Sequence, residues 1–137
     1  MNNVLDYLKY QARNNPSKTA FADEKNSVTF KGLLDAAGII GTNLAKIDCI
    51  RKPVPVMMDK DVLTIEIMLG IIQAGGFYVI LDPAQPVIRL NQIIDTLAPD
   101  VLITAEEHLE YASSLDFSGK ILLAEELVHG EADNLLL

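Results

Sequence analysis

Tryptophan is absent, and aromatic residues make up only 6% of the 137 positions. A single cysteine, Cys49, excludes an internal disulfide and fits a reducing, cytoplasmic setting. Basic residues are also scarce, 11 against 19 acidic ones, for a formal net charge of −8. That balance argues against nucleic acid and against an anionic membrane surface, because both select clustered Lys and Arg. No stretch reaches the roughly 18 uninterrupted apolar residues that a membrane span needs. The first residues carry Asn2, Asn3 and Asp6 where a secretory leader would carry basic and then apolar ones. There is no internal repeat and no low-complexity run.

Half of the residues are hydrophobic, and the stretch 61–83 concentrates them. Residues 62–72 are apolar around most of a helical wheel, which predicts a helix buried on several sides. Asp61 is a suitable N-cap. Gly75-Gly76 stops the helix, since one of the two takes the left-handed conformation cheaply. Residues 77–81, Phe-Tyr-Val-Ile-Leu, follow without polar alternation. That is the pattern of a central strand covered on both faces of a parallel sheet. Asp82-Pro83 ends it.

The rest of the chain alternates around this unit. Residues 4–13 read as an amphipathic helix broken at Asn14-Asn15-Pro16. Residues 19–22 and 27–30 read as two short strands across a Lys25-Asn26 turn, a hairpin. Thr29 can cap a helix over 31–46, in which Gly38 and Gly41 allow close packing against a neighbour. Strands are expected at 54–58, 101–103 and 121–123. Helices are expected from Pro86, placed at the first helical position, to Pro99, and over 106–115. Helix and strand alternating in this way give an α/β fold. It is a three-layer, mostly parallel open sheet with flanking helices and a short N-terminal hairpin, one domain over residues 1–137.

Reactive constellations are sparse. Gly75-Gly76 follows a helix, so it aims no helix N-terminus at an anion and makes no phosphate loop. His108 and His129 lie in polar segments with no second ligand at metal spacing, which reads as two surface histidines. Cys49, beside Ile47 and Ile50, reads as packing. Asp23, Glu24, Asp59 and Thr104 follow strands, and such residues can gather around Mg²⁺ in a receiver-like module. Against that, Asp23-Glu24 leads into another strand where a receiver needs a helix, and Lys120 precedes its strand.

Three stretches carry a family resemblance. Asn3-Val4-Leu5 through Pro16-Ser17-Lys18-Thr19-Ala20 is similar to the first helix, "P-x-K-x-A" turn and first strand of adenylate-forming (AMP-binding) enzymes. Val28-Thr29-Phe30-Lys31-Gly32-Leu33 resembles their "(L/V)-T-Y-x-E-L" stretch. Ala74-Gly75-Gly76-Phe77-Tyr78-Val79-Ile80-Leu81-Asp82-Pro83, with Pro86 and Arg89-Leu90 beyond it, resembles "A-G-G-A-Y-V-P-I-D-P-x-x-P-x-x-R-L". The nearest types are the amino-acid adenylation domains of non-ribosomal peptide synthetases and the D-alanine–carrier-protein ligases. Gly32 stands where the family has a glutamate that would complete a capping box with Thr29. Gln73 replaces a common lysine and Ile80 a proline.

The resemblance implies the N-terminal subdomain of the acyl-adenylate synthetase fold. Thr29, Phe30, Ala74, Gly75, Gly76, Tyr78, Asp82, Pro83, Pro86 and Arg89 would be structural motif positions, none of them catalytic, cofactor-binding or metal-binding. The complete enzyme would use ATP and Mg²⁺ to convert a carboxylic acid, an amino acid by this resemblance, into an acyl-adenylate. It would then load the acyl group onto the phosphopantetheine thiol of a carrier protein. The family's phosphate loop and catalytic lysine lie downstream of these motifs, and Leu135-Leu136-Leu137 resembles the strand leading into that loop. The expectation is a scaffold, inactive alone, that partners the rest of its domain or self-associates through uncovered apolar surface. The alternative from these residues is a stand-alone, non-catalytic α/β interaction module.

Overall fold

The computed structural model describes residues 4–47 and 53–129. The expectations for Cys49 and for Leu135-Leu136-Leu137 fall outside them. Helix α1 (Val4–Asn14) leads into strands β1 (Thr19–Ala22) and β2 (Ser27–Thr29), which pair antiparallel as a separate two-stranded hairpin. Helix α2 (Phe30–Ala45) starts at Thr29, whose Oγ1 accepts from the Gly32 N–H at 3.0 Å. Strand β3 (Pro53–Met57), helix α3 (Val62–Gln73), strand β4 (Phe77–Leu81) and helix α4 (Val87–Leu97) follow. Strand β5 (Val101–Thr104), a 3₁₀ turn (Glu106–His108), helix α5 (Leu109–Ser113), strand β6 (Lys120–Leu123) and helix α6 (Ala124–Leu127) complete the described chain.

The four later strands form one all-parallel sheet in the order β4-β3-β5-β6. Alternating side chains of β3 face its two sides. Val54 and Val56 pack with Ile40 and Leu44 of α2 and Ile67 and Ile71 of α3. Met57 packs with Leu90 and Ile94 of α4 and with Ala112 of α5. A third cluster, Leu8, Leu33, Ala37 and Leu69, seats α1 on the outer side of α2 and α3, with Ala20 and Val28 of the hairpin against it.

Two local geometries fix the α3 layer. Asp61 caps α3, its Oδ1 accepting from the Thr64 N–H at 2.9 Å. At the other end Gly75 has φ 88°, its N–H reaches the Ile72 carbonyl at 2.9 Å, and the Gly76 N–H reaches that of Ile71 at 3.0 Å. That pair of bonds is a Schellman motif, which turns the chain straight into β4. Gly70 lies so close to α2 that an added Cβ would sit 2.3 Å from Ile40 Cγ2.

Two expectations need correction. Within the described residues β4 is an edge strand and not a central one. Phe77 is 54% and Ile80 41% exposed. Its continuous apolar run signals cover on both faces, and these residues supply that cover only in part. β3 and β5 are the central strands, and every side chain of β5 is buried. Pro86 is the N-cap of α4, in an extended conformation, with the first helical position at Val87.

Candidate functional site

The hairpin stands off the sheet and leaves an apolar cleft between itself, α3 and β4. Two adjoining cavities of about 380 and 440 Å³ make up this cleft, and both are lined by Phe21, Ile65 and Met68. Ile80 closes one cavity and Tyr78 the other. Asp23 ties the hairpin to the helix at the cleft mouth. Its Oδ2 accepts from the Val62 N–H at 2.8 Å, and its Oδ1 accepts from the Lys25 and Asn26 N–H groups at 2.8 and 2.7 Å. Those backbone donors, Val62 first, hold the Asp23 carboxyl below the usual aspartate value of 3.8. Glu66 of α3 behaves oppositely. Partial burial, and then the Asp61 charge, raise it above the usual 4.5.

Several of the motif positions sit at helix ends and turns. Thr29 caps α2, and Phe30 meets Tyr7 edge-on with ring centroids 6.5 Å apart. Ala74 is the C-cap of α3, followed by Gly75 and Gly76 in the turn. Tyr78 lines the cleft. Asp82 Oδ1 accepts from the Ala84 N–H at 2.9 Å across Pro83, and Pro86 opens α4. Arg89 is exposed on α4 beside Gln92 and Ile93.

The first turns of α2 and α3 are satisfied within the chain. The first N–H groups of α2 are taken by the Lys18 and Pro16 carbonyls and by Thr29 Oγ1. In the first turn of α3, Val62 and Thr64 donate to the carboxylates of Asp23 and Asp61. Neither terminus keeps a donor set open for phosphate oxygens. The receiver-like set disperses as well. Asp23 serves the hairpin, and the Thr104 hydroxyl donates to the Met57 carbonyl at 2.8 Å. Lys120 pairs with Val101 at the opposite end of the strands from Asp59.

His129 is exposed, as the sequence predicts, but His108 is only partly so. His108 Nε2 lies 3.1 Å from Asp59 Oδ1 and 3.8 Å from Glu107 Oε1. Sequence reasoning missed this trio because Asp59 follows β3 while His108 follows β5. Only the pairing of those two strands joins them.

A doubly wound parallel sheet, an outlying hairpin and an apolar cleft define a unit of the α/β class. Residues 8–134 say which one: they match the family described as AMP-binding enzyme, and the chain belongs to it. It is 33% identical over 111 residues to nonribosomal peptide synthetase apmB of Penicillium brevicompactum, covering 80% of this chain and 5% of that protein. A four-domain nonribosomal peptide synthetase solved with AMP and glycine superposes with a TM-score of 0.83 at 25% identity, over 96% of this chain and 10% of its own. The Klebsiella oxytoca NpsA N-terminal subdomain, solved with 3-hydroxybenzoyl-AMSN, gives 0.82 at 14% identity, over 98% of this chain and 34% of its own. The chain corresponds to the N-terminal part of an adenylation domain and spans a small fraction of the relatives it matches. No helix among the described residues is long and apolar enough to cross a membrane.

Proposed function

We propose that these residues are the opening scaffold of an adenylation domain within a longer peptide synthetase. The complete domain activates an amino acid with ATP and Mg²⁺ to the aminoacyl-adenylate, releasing pyrophosphate. It then transfers the aminoacyl group to a carrier-protein phosphopantetheine thiol. The observation that carries this reading is the family match over residues 8–134. No step of the reaction is assigned to the described residues. They hold two sides of a layered core and present an apolar cleft, which the remainder of the domain covers. Residues 1–137 constitute one partial subdomain rather than an independent catalyst.

The test is ATP–pyrophosphate exchange across the amino acids with the complete gene product, set beside the same assay on the 137-residue chain. Exchange with a defined amino acid by the first and none by the second is expected. Exchange by the isolated chain, or a complete product inert with every carboxylic acid, overturns the reading. One observation also favours a binding role for the chain alone. Phe77 and Ile80 expose apolar surface on an edge strand, and an uncovered patch of this kind promotes association. Sedimentation of the isolated chain should show concentration-dependent oligomers, and a monomer at all concentrations removes that role.

A further inference from the structure

We infer that the outer flank of β4 is the docking site for one further β-strand, supplied by polypeptide beyond residue 137 in the complete domain, with large apolar side chains at alternate positions facing α3. This docking site presupposes the adenylation-domain reading and gives the cleft its occupant. Among the described residues β4 pairs on one side only, with β3, from Phe77 to Leu81 and without a bulge. Strands that stay at an edge are protected by lysine, proline or bulges. Residues 77–81 contain no charge and no proline, and Phe77 and Ile80 are exposed. That flank is an open row of backbone donors and acceptors of the kind an extended segment adds to.

The cleft beside that flank has the spacing of a strand. Tyr78 and Ile80 are two residues apart, so their side chains face the same side of the sheet. It is the α3 side, where Tyr78 packs against the cluster that holds Val54, Val56 and Ile67. One cavity is lined by Tyr78 and the adjoining one by Ile80. A strand laid along β4 repeats every second side chain at about 6.6 Å. Two successive inward side chains of such a strand therefore enter the two cavities in turn. Phe21, Ile65 and Met68 line both cavities, so each side chain meets an almost wholly apolar wall. Backbone pairing supplies affinity here, and the paired cavities select large apolar residues at alternate positions.

The course of the chain points to the source of the strand. The Asn43 side chain of α2 donates to the carbonyls of Leu127 and His129, each at 2.8 Å. The last described residues therefore lie against α2, on the face of the sheet that also carries α3 and the cleft. A strand returning from there reaches β4 without crossing the sheet. Length is not limiting, because this chain spans only 34% of the NpsA N-terminal subdomain on which it superposes.

The experiment compares hydrogen–deuterium exchange in the complete gene product and in the 137-residue chain, the latter at a concentration where it sediments as a monomer. Amides of residues 77–81 should exchange at least about tenfold more slowly in the complete product, because a paired edge opens less often. Those of residues 101–104 in the central β5 should match in the two proteins, which shows that the isolated sheet is folded. With p-benzoylphenylalanine incorporated at position 80 of the complete product, photo-cross-links should map to one downstream segment with apolar residues at alternate positions. Equal exchange of residues 77–81 in the two proteins overturns the site. So do cross-links to a second copy, to another protein or to a segment without that alternation. Neither readout needs catalysis. An active product with β4 unprotected sinks this site alone, and an inert product with β4 protected sinks the adenylation reading alone.

Discussion

Gly70 shows how tightly α2 and α3 are joined. In an exposed helix interior, Gly→Ala gains up to about 1 kcal/mol of propensity. Here the new methyl would overlap Ile40, a fully buried side chain. Overpacking of a filled core costs typically about 1–3 kcal/mol. Gly70→Ala is therefore expected to lower the urea midpoint despite the helical gain. Gly41→Ala, with its nearest contacts at 3.1 and 3.2 Å, should cost less. Ala98 is the converse case. It closes α4 at φ 47°, a left-handed conformation that a Cβ disfavours. Ala98→Gly should stabilise the chain by about 1 kcal/mol, read as a higher urea midpoint at unchanged slope.

Two carboxyls give opposite pH signatures. Asp23 is depressed in the folded chain, so its contribution is present above the ordinary value of 3.8 and is lost as pH falls through its folded value. Glu66 is raised, so the folded state is favoured below the ordinary 4.5 and loses stability as pH rises through the elevated folded value. Melting temperature against pH should therefore fall on the acid side through Asp23 and decline on the upper side through Glu66. Asp23→Asn should flatten the first slope and Glu66→Gln the second. Unchanged profiles in both variants would remove the argument.

Among the elements, α3 has the clearest signals in the sequence and the greatest structural weight. Its cap and its two-glycine stop are both local chemistry, and the structure realises both. Asp61→Ala should cost about 1 kcal/mol for the lost cap. It should also move Glu66 back toward its ordinary value, because Asp61 is the second cause of that shift. The edge position of β4 was not legible. An apolar run such as Phe77–Leu81 reports that a strand is meant to be covered, not which part of a chain covers it. Ala98 could not be read either, because an alanine gives no sign of the left-handed closure that a glycine would advertise. The helix over 106–115 appeared as a 3₁₀ turn and a short α5, boundaries that composition alone does not set. The trio at Asp59 and His108 was illegible for a different reason. It depends on β5 lying against β3 while β4 takes the other side, and strand order is a tertiary fact.

At the scale of the molecule, the proposed self-association would run through the exposed edge at Phe77 and Ile80. Ile80→Lys places a charge on the exposed side of the edge strand, where gatekeeping charges oppose edge pairing. The variant should shift sedimentation toward monomer with little change in urea midpoint. A large loss of stability instead would mean that Ile80 belongs to the core of the isolated chain.

The strand order β4-β3-β5-β6 also imposes a schedule on synthesis. As the polypeptide leaves the ribosome, β4 is available to β3 first, on one side. The residues of β5 emerge on the order of a second later, at about 5–20 residues per second. Throughout that interval the opposite flank of β3 is a bare ladder of amides. A nascent chain halted between Leu81 and Val101 should therefore be held by molecular chaperones longer than one halted after β5 has paired.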